Sequence, residues 1–187
     1  ASATPLSALL LANARKDAGV AGGFLSVVMG GGGDVGDSIV RHPDVPLISF
    51  TGSPEVGWGI RAQAPRKHVA LELGNSTPAI VMADADLELA AQRLAASGFT
   101  HAGQSCISVQ RVYVHRDVAT AFTDLFAAAV DGLVTGDPMD EDTDVGPVID
   151  RGAHERILDW VDDARRSGAG VILGGTDGGG TIPPTVL

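Results

Sequence analysis

Short apolar runs rich in β-forming residues recur along this chain with helix-period segments between them, and this alternation limits the fold more than any other feature. Residues 24–29, 46–50 and 68–73 read as strands, and residues 6–18, 35–41 and 53–64 as helices. Strands that alternate with helices predict a parallel sheet with helices on its faces, because a parallel pair needs a long crossover. After Gly74 the pattern restarts. Residues 79–82, 109–114 and 171–173 are expected strands, and 86–99, 118–133 and 151–167 are expected helices. Two α/β halves follow, residues 1–73 and 74–187. Two stretches fall outside the alternation: an acidic, proline-bearing segment at 135–150, expected to be an exposed loop, and residues 174–180, five of them glycine, expected to be mobile.

Hydrophobic residues at 44% and charged residues at 19% place the chain among folded domains. Lys and Arg number 13 against 23 Asp and Glu, a net charge of −10, which argues against nucleic acid as a partner because phosphate contact needs clustered basic side chains. No run approaches the ~18 apolar residues of a membrane span. The single cysteine excludes an internal disulfide framework and fits a reducing compartment, so a cytoplasmic setting is expected. Five histidines without metal-ligand spacing predict no metal site. The chain opens on Ala1 without Met and stops on the apolar, β-prone Thr185-Val186-Leu187, so it is expected to be the middle of a longer enzyme, with uncovered strand edges that favour homo-oligomers.

Three places could carry chemistry. Cys106, in Gly103-Gln104-Ser105-Cys106, interrupts the run between a helix and a strand, where a thiol can face a cleft; the plain alternative is a small buried hydrophobe. Glu72 ends an apolar strand just before Gly74, the end at which open α/β sheets bind ligands, and could act as a general base; the alternative is an edge glutamate reaching solvent. Phe50-Thr51-Gly52-Ser53-Pro54-Glu55-Val56-Gly57 joins a strand to a helix through a glycine turn, and the helix start offers free N–H groups to an anion; a serine cap with no ligand explains the same pattern. His101 invites pairing with Cys106, against the simpler reading of a histidine at a helix end.

Taken together, the segments resemble the aldehyde dehydrogenase superfamily. The motifs Phe50-Thr51-Gly52-Ser53 with Gly57, Leu71-Glu72-Leu73-Gly74 and Gly103-Gln104-Ser105-Cys106 stand in the family's order, with Glu72 and Cys106 at the family's spacing, 34 residues apart. The resemblance covers essentially the whole chain and implies parts of two Rossmann-like three-layer α/β domains: the end of a cofactor-binding domain, then the start of a catalytic one. By this resemblance Cys106 is the nucleophile that attacks an aldehyde, hydride passes to NAD or NADP, and Glu72 activates the water that hydrolyses the thioester. It also implies that Ser53 meets the pyrophosphate, with Phe50, Thr51, Gly52, Val56, Gly57 and Leu73 lining the dinucleotide and Gly32 and Gly36 flanking its adenine. Ser105 and Ile107 shape the pocket for a small aldehyde. The run Cys106 to Arg111 is similar to that of members acting on lactaldehyde-like or phosphonate aldehydes.

Two departures stand out. Ser2 replaces the glutamate that many NAD-preferring members set against the adenosine ribose, so NADP is expected to be tolerated. Asn75 replaces a second glycine, a cheap replacement if the position needs positive φ. Other members bring an asparagine oxyanion donor from an earlier segment, and one such donor is worth ~10²–10³ in turnover, so this stretch alone is expected to turn over little. A cysteine thiol esterase or acyl-transfer relative, and a non-catalytic piece that keeps the fold, are the alternative readings.

Overall fold

The computed structural model describes residues 4–187, so Ser2 lies outside the described residues. Two compact units divide the chain, one ending at Gly74 and one spanning Asn75–Leu187.

In the first unit, α1 (Pro5–Asp17) starts on a proline whose missing N–H has no helical partner to lose. It is followed by α2 (Asp37–Arg41), β1 (Leu47–Thr51), α3 (Pro54–Gln63) and β2 (His68–Glu72). Strands β1 and β2 pair in parallel from Leu47 opposite His68 to Thr51 opposite Glu72. Their shared core is Val40, Ile48 and Ala64, with Val45, Ile60 and Val69 packed around it. The strand expected at 24–29 is absent. Those residues form no ladder, and Phe24 is 82% exposed. An apolar run supplies side chains for a strand but not the neighbour its N–H and C=O groups require. The helix expected at 35–41 is present as α2 from Asp37, and the first two of those residues belong to a wider turn, Gly32–Gly36, with i to i+5 bonding that runs straight into it.

The second unit holds β3 (Thr77–Val81), α4 (Leu87–Phe99), β4 (Val109–Val114), α5 (Ala119–Asp131) and α6 (Arg151–Arg166). Asp86 caps α4 by accepting from Leu89 N–H at 3.0 Å, and Asp150 caps α6 by accepting from Ala153 N–H at 2.7 Å. β3 and β4 are parallel, with the register slipping between Thr77 and Pro78, where proline has no ladder donor. Val81, Ala91 and Phe122 form the core with Leu94, Val112, Val114, Leu125 and Phe126, and the rings of Phe122 and Phe126 stack at 5.6 Å. On the other face of this sheet Ile80 and Tyr113 stand exposed.

Residues 171–173 do not form a strand; a single antiparallel bridge, Leu173 to Val186, is all that pairs there. The acidic segment at 135–150 is irregular, as read from its prolines and charges, but Val145 is buried and bridges Thr135. The glycine-rich segment is tied down at several points: Arg165 Nη2 donates to Gly175 O at 2.7 Å, Gly175 N–H donates to Thr185 Oγ1 at 2.9 Å, and His154 Nε2 lies 3.2 Å from Asp177 Oδ1. Among the described residues no helix is long and apolar enough to cross a membrane, and no cluster of His, Cys, Asp and Glu could hold a metal.

Truncating Phe122 to alanine removes the ring at the centre of the second core. The expected loss is about 3–5 kcal/mol, measured as a lower urea midpoint with unchanged slope. Asp177 accepts a hydrogen bond from Gly179 N–H, and that bond, helped by nearby His154, holds its carboxyl below the usual carboxylate range. A group whose folded value is lowered stabilises the fold above its unfolded value and stops doing so as pH falls through the folded one. NMR titration of Asp177 is expected to give a midpoint below ~3.9, the value of an unperturbed aspartate.

Candidate active site

At the carboxyl end of β1 the chain leaves the sheet through Gly52 and Ser53 and enters α3. Gly52 N–H donates to Glu72 O at 3.0 Å, which carries the parallel ladder one bond beyond the strands and fastens the turn to the end of β2. Ser53 Oγ accepts from Val56 N–H at 3.3 Å, capping α3 and leaving the hydroxyl proton free to donate elsewhere. Gly57 is buried on the first turn of α3. A Cβ there would lie 2.5 Å from Leu73 Cδ2 and 3.4 Å from both Leu71 Cδ2 and Phe50 Cδ1, so the helix can seat on the strand ends only because that position carries no side chain. One turn therefore gathers Phe50, Gly52, Ser53, Gly57, Glu72 and Leu73, with Thr51 and Val56 exposed beside it. Glu72 is itself exposed, at the carboxyl end of its strand, the end outside which open α/β sheets bind ligands in general. Gly32 and Gly36 bound the separate wide turn before α2. A side chain at either would meet open space, so nothing in the described residues demands glycine there.

The second unit presents Cys106. Helix α4 ends at Phe99, and Thr100 Oγ1 donates back to Ala96 O at 2.6 Å. Three consecutive residues then take left-handed backbone: His101 at φ 52°, Ala102 at φ 53° and Gly103 at φ 70°. The turn closes with Gln104 N–H donating to His101 O at 3.0 Å. A β-turn follows, in which Ser108 N–H donates to Ser105 O at 3.1 Å, with Cys106 and Ile107 at the two corner positions. The thiol is exposed, and so is Ile107 beside it. Because the first corner residue of a β-turn does not use its own N–H, the Cys106 amide makes no hydrogen bond among the described residues. A thiol and an unbonded N–H thus sit on one residue, the two groups that covalent chemistry on a carbonyl would use. Ser105 is half-buried, and its Oγ takes a long bond from Ile107 N–H at 3.4 Å. No hydrogen bond among the described residues links His101 to Cys106; His101 lies two residues past the end of α4, in the left-handed turn.

Two features of this loop escape motif reading. Left-handed backbone at Ala102 has no sequence signal, since alanine carries the full Cβ penalty. Asn75 does not adopt positive φ, so the position does not place the demand for which asparagine would be a cheap replacement for glycine. Its side chain reaches the Cys106 loop: Nδ2 donates to Cys106 O at 2.6 Å. The available signal was an asparagine two residues before a threonine, the pattern of a side chain that bonds the backbone two residues on. Ala102→Gly removes a Cβ penalty of ~1–2 kcal/mol and adds unfolded-state entropy of ~0.5–1 kcal/mol. The expected outcome is a melting temperature equal to or above that of the unsubstituted chain.

The profile described as the aldehyde dehydrogenase family matches residues 1–187. The chain is 45% identical to the 3-sulfolactaldehyde dehydrogenase of Priestia aryabhattai, matching all of this chain and 39% of that protein. It is 41% identical to the NADP(+) succinate-semialdehyde dehydrogenase GabD of Escherichia coli (strain K12), again over its whole length and 40% of the relative. Among solved structures, glyceraldehyde-3-phosphate dehydrogenase GapN from Methanocaldococcus jannaschii DSM 2661, complexed with NADP, superposes with a TM-score of 0.93 at 40% identity, covering 99% of this chain and 41% of that one. The chain spans about 40% of the length of these curated relatives. With a family match running from the first residue to the last, at identities that leave no rival fold, the chain belongs to the aldehyde dehydrogenase family.

Proposed function

We propose that the natural polypeptide carrying these residues oxidises a small aldehyde to a carboxylate with NAD or NADP, using Cys106 as nucleophile and Glu72 as general base. The observation that carries this reading is the exposed thiol at a β-turn corner, beside its own unbonded N–H. The Cys106 sulfur, as thiolate, adds to the aldehyde carbon, and the carbonyl oxygen takes the electron pair as an alkoxide to which Cys106 N–H donates. Ser105 and Ile107 flank the aldehyde. The alkoxide pair re-forms the carbonyl as the C–H bond breaks, leaving a thioester on Cys106, and a nicotinamide dinucleotide would supply the acceptor for the departing hydride. Glu72 then takes a proton from water, whose oxygen bonds to the acyl carbon as the C–S bond breaks and the thiolate leaves.

The β1–α3 turn fits such a cofactor. It offers the N-terminus of a ten-residue helix, the Ser53 hydroxyl proton and an approach at Gly52 with no side chain in the way. In this reading Ser53 contacts the pyrophosphate, Phe50, Thr51, Gly52, Val56, Gly57 and Leu73 line the dinucleotide, and Gly32 and Gly36 flank the adenine. The first unit is then part of a cofactor-binding domain and the second part of a catalytic one. Ser2, being uncharged, brings no repulsion towards a 2′-phosphate, so NADP is accepted. The lone, free cysteine suits a reducing cytoplasm, and exposed Ile80 and Tyr113 suit association of copies.

The test follows absorbance at 340 nm with the full natural polypeptide, both cofactors, and an aldehyde panel of sulfolactaldehyde, succinate semialdehyde and benzaldehyde. Cys106→Ala is expected to abolish the aldehyde-dependent rise. Glu72→Gln is expected to keep a single-turnover burst and lose ~10²–10⁴ in steady turnover, the usual worth of a general base. Unchanged turnover in Cys106→Ala overturns the reading, and a hundredfold preference for NAD overturns the acceptance of NADP drawn from Ser2.

A further inference from the structure

We propose that Asn75 is a positioning residue for Cys106: its side-chain amide holds the two peptides flanking the nucleophile, a role that rests on Cys106 being the nucleophile. Asn75 Oδ1 accepts from Thr77 N–H at 2.8 Å and from Thr77 Oγ1 at 2.7 Å. A backbone N–H can only donate, so the oxygen end of the amide faces Thr77 and the nitrogen end must face the loop. There Nδ2 donates to Cys106 O at 2.6 Å and, more weakly, to Ser105 O at 3.4 Å. Both donors and both acceptor sites of this amide are therefore in use.

Those two carbonyls bracket the Cys106 Cα. The Ser105 C=O and the Cys106 N–H belong to one trans peptide, so drawing the oxygen toward Asn75 turns the N–H to the opposite side. Donation to that oxygen also polarises the peptide and strengthens the N–H as a donor to an alkoxide. The grip on the Cys106 C=O fixes the other side of the residue and so the direction of its Cα–Cβ bond. The turn's own ties, Ser108 N–H to Ser105 O at 3.1 Å and Ile107 N–H to Ser105 Oγ at 3.4 Å, leave the Cys106 carbonyl without another partner among the described residues. Glycine, the residue the family resemblance implies at this position, has no atoms to make these bonds. The device belongs to this chain's own sequence.

The experiment compares the full natural polypeptide with Asn75→Ala, Asn75→Gly, Asn75→Asp, Thr77→Val and Cys106→Ala. It reads kcat and KM for aldehyde and cofactor, the pH profile of iodoacetamide alkylation at Cys106, and melting temperature. Asn75→Ala and Asn75→Gly are expected to lower kcat about tenfold, the scale of losing a bond that orients a reacting group, with KM for the cofactor unchanged and alkylation slowed. Asn75→Asp keeps the acceptor for Thr77 but sets a carboxylate against two carbonyl oxygens, so it lowers kcat further and moves the alkylation midpoint to higher pH. Thr77→Val, which drops one of the two bonds orienting the amide, gives a smaller loss in kcat. If the Asn75 variants melt normally and keep kcat and alkylation profile within twofold, the proposal is overturned. If Asn75→Ala and Asn75→Gly do not fold, unchanged profiles in Asn75→Asp and Thr77→Val overturn it. Loss of activity in Cys106→Ala with none at Asn75 removes this inference alone; retained activity in Cys106→Ala removes the nucleophile and with it this role.

Discussion

Parallel pairing of β1 with β2 is the constraint on which the first half of this protein depends. Parallel strands send their carboxyl ends the same way, so whatever follows Thr51 and whatever closes β2 emerge side by side. The bond from Gly52 N–H to the Glu72 carbonyl makes that neighbourhood specific: the turn that starts α3 and the carboxylate-bearing strand end are one hydrogen bond apart. Antiparallel pairing of the same segments would have put them at opposite ends. Close seating of α3 over Leu73 and Phe50, permitted by the bare Gly57, then fixes how far the helix N-terminus stands from the sheet.

In the second half the work is done by backbone conformation. Three left-handed residues reverse the chain as it leaves α4, and the β-turn that follows lifts Cys106 to a corner. Left-handed backbone at a residue with a Cβ is costly, and such strain persists where surrounding structure over-determines it. Here the Thr100 bond back into α4, the Gln104 bond to His101 and the Asn75 bridge share that task. A cysteine at a turn corner has neither flanking ladder to hide its sulfur nor a neighbour competing for its N–H. Exposure and donor capacity come from the same geometry.

Much of this was legible in the residues, for identifiable reasons. Strands at 47–51, 68–72 and 109–114 are β-rich runs bounded by polar or turn-forming residues such as Pro46, Gly52, Lys67, Ser108 and His115, and the helices carry caps such as Ser53, Asp86 and Asp150 whose side chains do accept the bonds their identity suggests. Residues 24–29 and 171–173 look just as strand-like, yet a strand is a property of a pair, and no local pattern reports whether a neighbour exists. The motif residues around the β1–α3 turn were legible because glycine and serine are there for steric and capping reasons. Gly32 and Gly36 were not separable from ordinary loop glycines. The role of Asn75 was hidden because its partners lie 30 residues on, and a hydrogen bond at that separation leaves no periodic trace.

The lone thiol has one more consequence. A chain with a single cysteine, held outward at a corner rather than folded into a core, accepts one covalent label at one known place without any engineering of competing sulfurs. A fluorophore or spin label coupled there senses the loop directly, and its mobility reports how firmly the strut beneath it grips. Reducing agent becomes part of handling the molecule, since two such corners meeting in solution can join as an intermolecular disulfide.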